Sequence, residues 1–133
     1  MDTCTKSPLG ALLRAVGEFN RGDWFECHET LEELWVGSGG EIRDFYQGLL
    51  QVAVGLHHWR EGNFKGSVHL LASGADKLRH VRPVCQRIDA GEVVVAADRI
   101  RDELTSLGAE QMAELDPALI PLICLAPAPG GDP

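Results

Sequence analysis

The residues best suited to chemistry lie in one short segment, Glu26-Cys27-His28-Glu29-Thr30-Leu31-Glu32-Glu33-Leu34-Trp35. Wound as a helix at about 100° per residue, it gathers Trp24, His28, Leu31 and Trp35 on one face. His28 then turns toward the apolar side. Glu32 follows one turn later in i,i+4 register, Glu29 lies on the opposite margin, and Glu26 and Glu33 point outward. An inward imidazole beside a carboxylate suits proton transfer or part of a metal site. It equally suits a core histidine whose ring Glu32 orients, since a buried polar group needs a partner. A second polar stripe, Gln47, Gln51 and His58, projects from the side of the next helix opposite its leucines. Amides in an apolar helix need partners. They are expected either to hydrogen-bond His28 and Glu32 across a helix pair or to line a small polar pocket.

Motif spacing limits this chemistry. His28-Glu29 lacks the second histidine of H-E-x-x-H, with Glu32 in its place. The Glu-x-x-His pairs of di-iron bundles are missing too. Three ligands on one helical turn cannot converge, so a site built on His28, Glu29 and Glu32 would need a ligand from His57, His58 or His69. No metal and no cofactor are therefore assigned, His28 and Glu32 remaining the candidates should a metal bind. Gly37-Ser38-Gly39-Gly40 has neither a preceding strand nor a following Lys-Ser/Thr, so it reads as a flexible loop rather than a phosphate cradle. Cys27 and His28 diverge by about 100° on a helix, which argues against a nucleophilic dyad.

Composition sets the wider frame. The chain has 133 residues, 44% hydrophobic and 24% charged, with a formal net charge of −8. Its basic residues are scattered, so no nucleic-acid surface is expected. The longest apolar run, Leu49 to Leu56, is broken by Gln51 and Gly55 and is too short to cross a bilayer. No apolar signal region opens the chain. The four cysteines, Cys4, Cys27, Cys85 and Cys124, form no C-x-x-C pair. A cytoplasmic protein with reduced thiols is the expectation.

The elements that must position these residues are all helical. Ser7-Pro8 reads as an N-cap and first helical residue, opening a helix to about Arg21. Gly22 closes it. Asp23 and Glu26 form a capping box for a second helix, Trp24 to about Val36. A third helix, about Glu41 to Glu61, carries Ile42, Tyr46, Leu49, Ala53, Leu56 and Arg60 on one side and is expected to be central. Gly48 and Gly55 on another side permit close approach of a neighbouring backbone. A fourth helix runs from Phe64 to about His80 and ends before Pro83. Asp89 to Leu107 reads as a fifth, against the β-branched run Val93-Val94-Val95, and Glu110 to Leu115 as a further turn.

Phe19-Asn-Arg-Gly-Asp-Trp24 aligns with Trp59-Arg-Glu-Gly-Asn-Phe64, forty residues later. Each copy places an aromatic, a glycine stop, an Asx cap and a second aromatic around one αα-corner. The expected architecture is all-α: a compact bundle of two αα-hairpins plus a C-terminal helical segment, superficially like tetratricopeptide hairpins. A single domain over residues 1–125 is expected, with 126–133 a flexible tail.

The ordered string Phe19-Asn20-x-Gly22-x-x-Phe25-Glu26-x-His28-Glu29-x-Leu31-Glu32-x-x-Trp35, with Tyr46-Gln47-Gly48-Leu49-x-Gln51-x-Ala53 and Gly62-Asn63-x-x-Gly66, resembles the bacterial and archaeal family called domain of unknown function 309. The resemblance covers roughly Phe19 to Leu78. It implies an all-helical fold and maps that family's HE-x-x-E and QG-x-x-Q signatures onto His28, Glu29, Glu32, Gln47, Gly48 and Gln51. It adds no activity.

Two functional readings follow. The first is a protein-interaction or small-ligand-binding module with a buried His/Glu/Gln cluster, its partner a protein, a small molecule or a second copy of the chain. The alternative is a hydrolase-like enzyme or metal-dependent protein. Its pocket would lie between the second and third helices, with His28 as ligand or general base, Glu32 orienting it, and Gln47 and Gln51 positioning substrate.

Overall fold

In the computed structural model, which describes residues 3–6 and 8–126, five α-helices follow one another. They are α1 (Gly10–Asn20), α2 (Trp24–Val36), α3 (Gly40–Arg60), α4 (Phe64–Arg79) and α5 (Ala90–Leu107). The all-α expectation holds. The Ser7 cap and the tail from Pro127 onward lie outside the described residues.

The repeated corner is the clearest link from sequence to structure. Gly22 and Gly62 both have φ +81°, a left-handed conformation that favours glycine. Asp23 N–H donates to Glu18 O at 2.8 Å, and its counterpart Asn63 N–H donates to His58 O at 2.8 Å, so both helices close by the same wrapped turn. The corners differ at the following cap. Asn63 accepts from Gly66 N–H at 2.9 Å, whereas Asp23 makes no side-chain cap. Its carboxylate instead takes Arg21 Nε at 3.2 Å, so the expected capping box is absent. The two corners also meet. Arg60 stacks 4.4 Å over the Trp24 ring and donates to Gly22 O at 2.7 Å, with Trp24 and Trp59 6.4 Å apart.

α3 is the central helix, packed between α2 and α4. Phe45, Tyr46, Leu49, Val52, Ala53 and Leu56 bury its apolar face. Gly48 and Gly55 do what their spacing predicts, and Gly74 on α4 completes the seam. A methyl group at Gly74 would sit 2.8 Å from Gly48 O and 2.9 Å from Val52 N. The helices therefore touch backbone to backbone.

Two elements depart from the expectation. A two-stranded antiparallel hairpin, β1 (Val84–Cys85) and β2 (Ile88–Asp89), precedes α5. Its turn residues Gln86 and Arg87 adopt φ 48° and 67°. Such a turn normally carries Asn-Gly or Asp-Gly, so the sequence gives no hairpin signal. The thiols are the second correction. Cys4, in a 3-10 turn at Thr3–Thr5, is disulfide-bonded to Cys85, while Cys27 and Cys124 are free. The partners are 81 residues apart and meet only because the N-terminal turn lies against the hairpin, with Gln86 N–H donating to Cys4 O at 2.7 Å.

Beyond α5 the chain returns along the bundle. Asn20 clamps its backbone, donating to Ile123 O at 2.9 Å and accepting from Ile123 N–H at 2.7 Å. Trp59 Nε1 donates to Met112 O at 2.8 Å. Among the described residues no helix is long and apolar enough to cross a membrane.

Candidate functional site

The six residues singled out from the sequence all lie on α2 and α3, flanking one open face. Gln47, Gln51 and His58 recur at helical spacing on the side of α3 opposite Phe45, Leu49, Val52 and Leu56. All three are half-buried, while those four are buried. Two contacts fix the orientation of this stripe. Toward α2, the Phe25 ring lies 5.5 Å from His57 and 5.2 Å from His28. Toward α4, Gln51 Oε1 accepts from Ser73 Oγ at 2.8 Å. The stripe thus runs along α3 between two flanking helices.

His28 is half-buried at the α2 rim, its Nδ1 3.2 Å from Phe25 O of its own helix. Glu29 and Glu32 are exposed. The buried His/Glu/Gln cluster expected from helical phase is therefore not what forms. His28 and Gln51 occupy opposite flanks of α3, and among the described residues no hydrogen bond joins His28, Glu32 and the two glutamines. The reason is geometric: α2 meets α3 through Trp24 and Leu31, which leaves Glu32 on the solvent side of the helix. Gln51 finds its partner on α4 instead.

The α4 wall was the part missed from sequence. His69, Ala72, Ser73, Asp76, Lys77 and His80 line an open groove of about 420 Å³. Their spacing of three, four, seven, eight and eleven was a legible signal for one helix face. With His28, His57 and His58, they place four of the five histidines of the chain on α2, α3 and α4 and the fifth, His80, at the C-cap of α4. At one end Arg43 stacks 4.6 Å over the Trp35 ring. At the other, His58 Nδ1 lies 3.3 Å from Asn63 Nδ2.

Several groups on this face keep hydrogen-bonding capacity. Gln47 has no partner among the described residues, and Gln51 spends only its carbonyl oxygen on Ser73. His57 Nδ1 is buried without a partner. Of these, only the buried His57 Nδ1 is cut off from water as well, a state that costs free energy until a partner satisfies it. Cys27 belongs elsewhere. It is packed at the α1–α2 interface, and burial, reinforced by nearby Glu18, pushes its thiol up to about 12, so it is no nucleophile. Among the described residues no group of three or more His, Cys, Asp and Glu side chains is placed to hold a metal ion.

Residues 12–70 match the model of a family described as a domain of unknown function, DUF309. An uncharacterized protein of Aquifex aeolicus (strain VF5) is 30% identical over 76 residues, covering 56% of this chain and 23% of that protein. The uncharacterized protein YpuF of Bacillus subtilis (strain 168) is 42% identical over 52 residues, covering 38% of this chain and 30% of its own length. The matched stretch thus spans less than a third of either relative. Over residues 12–70, from α1 into α4, the chain is similar to the DUF309 family.

Proposed function

We propose that this chain is a binding module whose recognition surface is the α2–α3–α4 face, and that it takes an extended segment of a partner polypeptide. The observation that carries this reading is the state of the two α3 amides. Gln47 and the amide NH2 of Gln51 sit half-buried on the α3 stripe, one turn apart, with donors and acceptors unspent, and Gln51 borders the α4 groove through Ser73. A peptide backbone offers alternating N–H and C=O groups that such side chains can satisfy.

The walls fit the same occupant. Phe25 is 45% exposed and Trp35 half-buried, giving aromatic contact area of the kind that interface cores use. Glu29 and Glu32 on one rim and Lys77 on the other supply a polar border. The open groove of about 420 Å³ along α4, which Gln51 borders through Ser73, gives a peptide room beside these amides.

Panning a random peptide library against the immobilised chain, then repeating it with a Gln47→Ala/Gln51→Ala variant, tests the reading. Enriched peptides should lose at least tenfold in affinity with the double variant, about 1.4 kcal/mol. They should be unaffected by Asp102→Ala on α5. Peptides that bind the double variant equally well, or no enrichment at all, would overturn it.

A further inference from the structure

The disulfide is not among the residues of that face, and its surroundings indicate a second device. Both cysteines lie outside residues 12–70, the stretch that matches DUF309. The bond joins only the N-terminal turn to the β1–β2 hairpin. That hairpin is locally unfavourable. Gln86 and Arg87, neither of them glycine, both occupy the left-handed region that L-residues seldom adopt. Gln86 is buried at 1% exposure, and although its Nε2 donates to Tyr46 Oη at 3.0 Å, its Oε1 is buried without a partner.

The turn is therefore held from outside. Cys4 O takes the Gln86 N–H. Arg87 Nε donates to Ala126 O at 2.8 Å, and Arg87 O accepts from Ala126 N–H at 2.7 Å. Ile88 pairs with Leu125 as an isolated antiparallel bridge. The single covalent tie among these is Cys4–Cys85.

We propose that Cys4–Cys85 is a redox-operated latch on the β1–β2 hairpin, opened by a dithiol reductant, and not a permanent staple of the fold. In the opening step one thiolate of the dithiol attacks a sulfur of the pair and forms a mixed disulfide, releasing the other cysteine as a thiolate that takes up a proton. The second thiol of the dithiol then displaces the remaining cysteine. Two electrons and two protons pass to the protein, and the dithiol closes to its own disulfide. Once the tie is cut, the left-handed turn and the orphaned Gln86 oxygen favour release. The hairpin, the N-terminal turn and the 123–126 segment then loosen together while α1–α4 stay packed.

Hydrogen exchange followed by mass spectrometry on the full chain, oxidised and after treatment with dithiothreitol, reads this directly. Alkylation of the denatured protein should count two free thiols before treatment and four after. Exchange over residues 84–89 and 123–126 should rise at least tenfold on reduction, with α2 and α3 unchanged. A Cys4→Ala/Cys85→Ala variant should show the fast pattern from the start and ignore dithiothreitol, which separates the latch from any general effect of the reagent. Four free thiols in the air-oxidised protein, no change on reduction, or unfolding of the whole chain would each overturn the proposal.

Discussion

Gly74→Ala is the sharpest test of the packing that shapes the candidate groove. Two opposed effects set its outcome. Alanine favours a helix interior over glycine by about 1 kcal/mol. Against that, the new methyl would lie 2.8 Å from Gly48 O, 2.8 Å from Val52 Cγ2 and 2.9 Å from Val52 N. Two of these neighbours are backbone atoms of α3 and cannot swing aside, so the helices must part by several tenths of an ångström. Overpacking of a close-packed interior costs about 1–3 kcal/mol, and a backbone clash belongs at the upper end. The net expectation is a loss of about 1–2 kcal/mol, or roughly 4–8 °C in Tm for a chain of this size. Separation of α3 from α4 should also stretch the Gln51–Ser73 hydrogen bond. The control is Gly10→Ala at the start of α1, where no atom lies within 4 Å of the added methyl. It should gain a few tenths to about 1 kcal/mol. Differential scanning calorimetry of both variants decides the matter. A Gly74→Ala protein melting at or above the parent would mean that α3 and α4 are not in backbone contact, and the groove geometry would fall with it.

Other outcomes follow from single contacts. Asn20→Ala should cost about 1–3 kcal/mol in chemical denaturation, because it strands the Ile123 N–H and C=O that the side chain now satisfies on both sides. Iodoacetamide at pH 8 should modify exposed Cys124 in the native protein and spare Cys27, whose thiol burial pushes up to about 12. That raised value favours the neutral thiol in the folded state, so its contribution to stability is complete below the ordinary value of 9.0 and is lost as pH rises above it; urea midpoints from pH 8 to 11 should show the fall. Glu41 behaves in the opposite sense. Hydrogen bonds from the Arg82 side chain and backbone hold its carboxyl below the ordinary 4.5, so the contact stabilises above that pH and fades as the solution is acidified. For a pair this exposed the contribution is about 0.5–1 kcal/mol, and Glu41→Gln should flatten the acid limb of the stability curve.

What the sequence reveals about the fold is what local chemistry determines. Gly22 and Gly62 end their helices, Asn63 caps the next, and Gly48 and Gly55 mark a close approach, because each acts on its own turn or its own helix face. Asp23 shows how a local rule fails: the neighbouring Arg21 competes for the carboxylate that would have capped α2. The disulfide was not legible because Cys4 and Cys85 meet only through tertiary structure. Neither was the hairpin, since Gln86-Arg87 carries none of the residues its turn prefers. At the candidate site, helical phase placed Gln47, Gln51 and His58 together on one stripe of α3. It could not supply the rotation of α2 about its own axis, which turns Glu32 to solvent, nor Ser73, which arrives from α4 to take Gln51.

The hairpin turn has one more consequence, for the first and last described stretches of the chain. Cys4 O is bonded to Gln86 and Ala126 to Arg87, consecutive residues of the same turn. Entry and exit of the described polypeptide therefore lie side by side, as the two feet of an arch do. A unit spanning those described stretches can be spliced into a surface loop of another protein without pulling its helices apart.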